Sequence, residues 1–179
     1  MGLSCTSVNW RAAGRWPRIA ALALALSVSS QTSVTAQSAP PPKVAASIAR
    51  LFGKSATTDT IQADGAAVLR IHDGGATAGY ALVRNVLGKD QPITFLVATD
   101  TAGVLRDVDI LVYREPYGGE VAYEAWRKQF RGKTASDPLV IGKDIRSISG
   151  ATISSNSVTL GVRTALADLA RWKSEGKLK

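Results

Sequence analysis

Ser149-Gly150-Ala151-Thr152, followed by Ile153-Ser154-Ser155, concentrates hydroxyls around two small residues just ahead of an amphipathic stretch. A hydroxyl on a small-residue loop at a helix start is well placed to hold a phosphate. The helix offers free backbone N–H groups and the positive end of its dipole. Gly150 and Ala151 keep side-chain bulk away, so a large group can approach Thr152. The same residues also suit a plain helix cap, because Ser, Thr and Asn are preferred there. Spacing alone leaves both readings open. A second stretch, Arg114-Glu115-Pro116-Tyr117-Gly118-Gly119-Glu120, joins a strand pattern to a helical one. Its glycines either let a planar ligand approach the backbone or make an ordinary turn.

Other chemistries find little support. His72 is the single histidine, beside the turn-like Asp73-Gly74-Gly75, and reads as a strand-end surface residue. No second histidine exists for a His-pair metal site, and no metal site is expected. Asp107 and Asp109 alternate onto one strand face and read as a solvated edge rather than an acid/base pair. No catalytic residue is assigned.

The elements that must position these residues follow from periodicity. Lys43 to Phe52 is a short helical pattern with Val44, Ile48, Leu51 and Phe52 on one side and Gly53 as its stop. Thr57 to Gly65 reads as polar loop. Four strands are expected at Ala67–His72, Ala78–Leu87, Pro92–Thr99 and Val104–Arg114, separated by short turns. A helix over Glu120–Arg131 stacks Ala122, Trp126 and Phe130, and Gly132 ends it. A connecting stretch follows, with an extended piece at Leu139-Val140-Ile141. The last helix is expected from about Ser157 to Lys173, burying Val158, Val162, Leu166 and Leu169. The fold class is α+β, a twisted antiparallel sheet with helices packed on one face.

The chain has 179 residues, 45% apolar and 20% charged, as a globular domain requires. Residues 1–36 read as a signal peptide. Arg11, Arg15 and Arg18 form a basic start, Ile19 to Leu26 begins a short apolar run, and Val34-Thr35-Ala36 offers a cleavage site before Gln37. The run is shorter than the roughly 20 residues that span a bilayer, so no permanent membrane span is expected; an uncleaved anchor is the alternative. Cys5, the single cysteine, lies within this segment, leaving a mature chain without thiols. The net charge of +8 includes those three arginines and no acidic residue before Gln37, so the mature chain carries +5. Its basic residues are scattered, which argues against nucleic acid and for docking an acidic partner or anionic cofactor. The domain plan is residues 37–66 as linker and short N-terminal helix, 67–173 as the functional domain and 174–179 as a basic tail, in the periplasm.

S-G-A-T followed by serines, near the C-terminus of a small exported domain, resembles the flavinylation motif of the FMN-binding domain family. Members include the C subunit of the Na+-translocating NADH:quinone reductase and the G subunit of the Rnf complex. The resemblance implies FMN joined to Thr152 by a phosphoester, framed by Ser149, Gly150 and Ala151. It also implies a flavin transferase that makes the bond from FAD with Mg2+. Glu115, Gly118 and Gly119 look like the family's Glu-containing, Gly-rich loop beside the flavin, which makes the region from 67 to 173 the FMN-binding domain. The family usually has an aspartate six positions before the threonine. Here Arg146 stands there, and either Asp144 substitutes for it through a loop shift or Arg146 pairs with the phosphate. Ser154 and Ser155 are fallback acceptors. The implied function is a periplasmic electron-transfer flavoprotein working between a membrane-bound reductase and a cytochrome or other redox partner. The alternative is a non-catalytic sensing or assembly module that binds FMN reversibly or a partner protein.

Overall fold

Two-residue turns decide the topology. Asp64-Gly65 and Gly74-Gly75 all take positive φ, 49° and 79° then 59° and 85°. That is the conformation whose twist matches a tight antiparallel hairpin. The computed structural model describes residues 39–179, so the expected signal segment, residues 1–36, lies outside the described residues. Strands β1 (Thr57–Ala63), β2 (Ala66–Asp73), β3 (Ala76–Leu87), β4 (Pro92–Asp100) and β5 (Leu105–Val112) form a five-stranded sheet in sequence order. Every neighbouring pair is antiparallel.

The sequence pattern predicts a loop over Thr57–Gly65, but the chain forms β1 there. This strand sits on the sheet edge, and Ala63 is its one fully buried residue. No apolar alternation therefore marks it. Its β-branched threonines and the Asp64-Gly65 turn are the available signals.

Alternation along β4 splits the core in two. Ile93, Phe95 and Val97 face one cluster and Leu96 and Ala98 the other. Helix α3 (Thr152–Ser174) covers the first face with Val158, Val162, Leu166 and Leu169, the stripe its periodicity predicts, and adds Ala165 and Trp172. Helix α1 (Pro42–Phe52) lies against the opposite face through Val44, Ile48 and Phe52. The helix expected over Glu120–Arg131 is broken into a 3-10 turn at Gly119–Ala122, a short α2 (Glu124–Arg127) and a second 3-10 turn at Lys128–Phe130. Trp126 and Phe130 still pack edge-to-face at 5.1 Å in the α3-side core. That burial fixes their positions without needing a continuous helix. The C-terminal residues, expected as a basic tail, pack back onto the sheet: Leu178 is buried, its carbonyl accepts from Tyr80 Oη at 2.8 Å, and Lys177 pairs with Asp64.

Helix α3 comes unusually close to the sheet at Gly161. A Cβ there would stand 2.6 Å from both Phe95 Cζ and Val86 Cγ1. Overpacking of this kind costs roughly 1–3 kcal/mol. Gly161→Val should therefore lower the unfolding midpoint in urea, with an unchanged slope of stability against denaturant.

Asp107 and Asp109 are not a solvated edge. Asp107 is fully buried, and its Oδ2 accepts from Arg50 at 3.0 Å, Arg127 at 3.0 Å and Arg131 at 3.3 Å. Asp109 accepts from Ser47 Oγ at 2.6 Å and Arg50 at 3.0 Å. This network ties α1 and α2 to β5. It also covers the strand's free edge, where Arg127 donates to the Val108 carbonyl and Lys43 to that of Leu111.

Candidate functional site

In an antiparallel meander β3 and β5 run in the same direction, so their C-terminal ends share one end of the sheet. The β3–β4 turn (88–91) and the loop after β5 (113–118) must meet there. Helix α3 begins at the same end. The result is a cleft of about 350 Å³ whose walls include Lys89, Asp90, Glu115, Tyr117, Gly118 and the residues from Gly150 to Ser154. Its volume falls at the small end of ligand sites.

Thr152 is the first residue of α3, five positions earlier than the apolar pattern predicts. Ala151 occupies the cap position and, among the described residues, no side chain caps the helix. The serine- and threonine-rich stretch is thus not spent on capping. The first helical bond runs from Ser155 N–H to the Ala151 carbonyl at 2.9 Å. The N–H groups of Thr152, Ile153 and Ser154 lie ahead of it, with no acidic residue in the first turn. Gly150 takes φ 83°, a conformation that favours glycine.

The hydroxyls differ sharply in access. Thr152 is exposed, while Ser154 is 5% exposed and Ser155 fully buried. Ser155 Oγ accepts the Ile148 N–H at 3.3 Å. Ser154 Oγ lies 2.8 Å from Tyr113 Oη, which donates to the Tyr117 carbonyl at 2.5 Å. The Tyr113 phenol therefore ties the Gly-rich loop to the first turn of α3. Ser149 is exposed beside the cleft, and Gly119 starts the following 3-10 turn; neither lines the cavity.

Gly118 is required where it stands. Its φ is 88°, and a Cβ would lie 2.6 Å from Tyr113 Oη and 2.8 Å from Ser154 Oγ. Gly118→Ala should open the Tyr113–Ser154 contact and destabilise the protein by about 1–3 kcal/mol. Urea denaturation reads the loss.

Glu115 turns its carboxylate onto the β3–β4 turn. Oε1 accepts the Gln91 N–H at 2.9 Å and the Asp90 N–H at 2.7 Å. These two amides hold its pKa below the usual carboxylate range. Arg146 and Asp144 are placed by other contacts. The Arg146 carbonyl accepts from Trp126 Nε1 at 2.6 Å and its N–H donates to Gln129 Oε1 at 2.9 Å, leaving its side chain exposed. Asp144 accepts from the Leu139 and Val140 N–H groups and from Lys133 Nζ. Neither residue lines the cleft.

No sequence pattern joins Lys89, Tyr113 and Ser154 into one constellation. The legible signal is topological: two strands of a meander ending at one edge. A larger groove of about 740 Å³ lies on the α1 side of the sheet; of the two motif stretches only Arg114 reaches it. Among the described residues no group of His, Cys, Asp and Glu is arranged to hold a metal, and no helix is long and apolar enough to cross a membrane.

Residues 88–167 match the family described as the FMN-binding domain, a span that runs from the β3–β4 turn into α3 and contains both motif segments. This stretch is thus similar to an FMN-binding domain. It is 35% identical over 101 residues to the G subunit of the Na+-translocating ferredoxin:NAD+ oxidoreductase complex of Acetobacterium woodii, covering 51% of this chain and 44% of that one. It is 33% identical over 101 residues to the G subunit of the proton-translocating ferredoxin:NAD+ oxidoreductase complex of Clostridium ljungdahlii, covering 52% and 54%. The chain spans about half the length of these relatives.

Proposed function

We propose that this protein is an electron-transfer flavoprotein of the periplasm, carrying FMN through a phosphoester on Thr152. It exchanges electrons with a membrane-bound reductase and a second redox partner. The observation that carries this reading is the meeting of the two motif segments in one cleft, with Thr152 as its exposed hydroxyl. The cleft's chemistry fits the cofactor. The N–H groups at the start of α3 suit the phosphate that remains charged after esterification. Tyr117, 83% exposed, and Ile153, 51% exposed, offer an apolar mouth for a flat ring. Gly118 leaves space at the backbone that a side chain would fill. Kinship with subunits of two ion-translocating ferredoxin:NAD+ oxidoreductases supports an electron-transfer role.

Attachment needs a flavin transferase that supplies FAD. The Thr152 oxygen forms a bond to the FMN phosphorus, the pyrophosphate bond breaks, AMP leaves, and the hydroxyl proton is released. FMN itself supplies the reversible uptake of electrons. The chain's residues hold and orient it: α3 at the phosphate, the Tyr113–Ser154 contact at the loop, and the 88–91 turn at the opposite wall. The test is co-expression with a flavin transferase, denaturation and filtration. Colour retained with the polypeptide supports the reading, whereas colour in the filtrate supports reversible binding.

A further inference from the structure

Glu115 is a carboxylate in the cleft wall that spends its hydrogen bonds on the backbone of the β3–β4 turn. Its two hydrogen bonds, from Asp90 N–H at 2.7 Å and Gln91 N–H at 2.9 Å, converge on the same oxygen, Oε1. The turn is shaped to receive it. Gly88 N–H donates to the Gln91 carbonyl at 2.9 Å, and a Cβ on Gly88 would stand 2.6 Å from Glu115 Oε1. Glycine at 88 therefore lets the carboxylate reach the amides behind it. Lys89 and Asp90, carried on this turn, form the cleft wall across from Thr152. Among the described residues Lys89 is the sole cationic side chain lining the cleft, and it enters no ion pair.

We propose that Glu115 is a positioning residue: it acts on the bound flavin through the Gly88–Gln91 turn, fixing the wall that carries Lys89 and Asp90, rather than by its own charge. This rests on the reading that FMN occupies the cleft. Its physical basis is the acceptor geometry. A carboxylate that accepts two backbone N–H groups on one oxygen can be replaced by an amide whose carbonyl accepts the same two bonds. An exposed charge acting at a distance through water cannot be replaced in that way.

The experiment compares Glu115→Gln and Glu115→Ala with the wild-type mature chain. In the flavin-free proteins, amide hydrogen exchange at Asp90 and Gln91 reports the turn directly. In the flavin-loaded proteins, the visible absorption spectrum and the midpoint potential report the wall. Glu115→Ala should speed exchange at both amides by about tenfold or more and shift both the spectrum and the potential. Glu115→Gln should match wild type in every readout. If Glu115→Gln shifts the potential as far as Glu115→Ala does, the carboxylate acts through its charge and the proposal is overturned. Unchanged exchange in Glu115→Ala overturns it equally. A wild-type chain that holds no flavin would sink the functional reading, while the exchange comparison would still decide whether Glu115 holds the turn.

Discussion

Thr152→Ala should carry no covalent flavin and fold as well as wild type. Thr152 is exposed, stands at the first position of α3, and is not the capping residue. Substitutions at such sites fall within about 0.5 kcal/mol of neutral, and alanine is the better helix former. The effect on attachment should be all-or-none, because in the proposed ester the hydroxyl oxygen is the bridging atom. The neighbouring hydroxyls do not rescue it. Ser155 is buried with its oxygen taken by the Ile148 N–H, and Ser154 is buried against Tyr113. The two single variants Ser154→Ala and Ser155→Ala should each retain flavin on Thr152. Chemical denaturation alongside flavin quantification separates loss of attachment from loss of fold.

The largest effect on stability is expected at Asp107. Burial alone would push its carboxyl up, but Arg50, Arg127 and Arg131, with the Val108 N–H, hold it below the ordinary carboxylate value. Asp107→Asn leaves the nearly buried Arg127 facing a neutral amide, with Asp109 Oδ1 3.5 Å away as its remaining anionic partner. Removing one partner of a buried ion pair costs about 3–5 kcal/mol. Because Asp109 remains, about 3 kcal/mol is expected, a fall of roughly 10 °C in the unfolding midpoint for a domain of this size. The pH dependence has a definite sign. A carboxyl whose pKa is lowered by folding stabilises the protein above its unfolded value of about 3.9. That contribution disappears as the pH falls through the lower folded value. Wild type should therefore lose stability below about pH 4 more steeply than Asp107→Asn, which has already lost it. Parallel curves for the two proteins would mean that other carboxylates, not Asp107, set the acid limit.

Much of this architecture is legible in the sequence because burial imposes periodicity. The β2–β5 strands and the buried stripe of α3 declare themselves by alternation and by 3.6-residue spacing. Strand β1 does not, since an edge strand of threonines, Asp59 and Gln62 buries almost nothing. The start of α3 is also hidden. Thr152 to Asn156 lack the apolar spacing that marks a helix, yet the first turn forms because Gly150 turns the chain into it. Asp107 reads as a solvated edge because a lone aspartate in a strand gives no sign of three arginines brought from α1 and the α2 region. The motif stretches around Thr152 and Glu115 are both visible. Their meeting is a matter of topology, and the aim of Glu115 at the 88–91 turn depends on Gly88, whose role is clear only when the turn and the loop are side by side.

The central claim concerns one bond on one residue, and intact mass spectrometry reads it most directly. After co-expression with a flavin transferase, the wild-type chain should gain the mass of FMN minus water, and Thr152→Ala should gain nothing. A wild-type chain of unmodified mass, or an equal gain on Thr152→Ala, would contradict covalent attachment at Thr152.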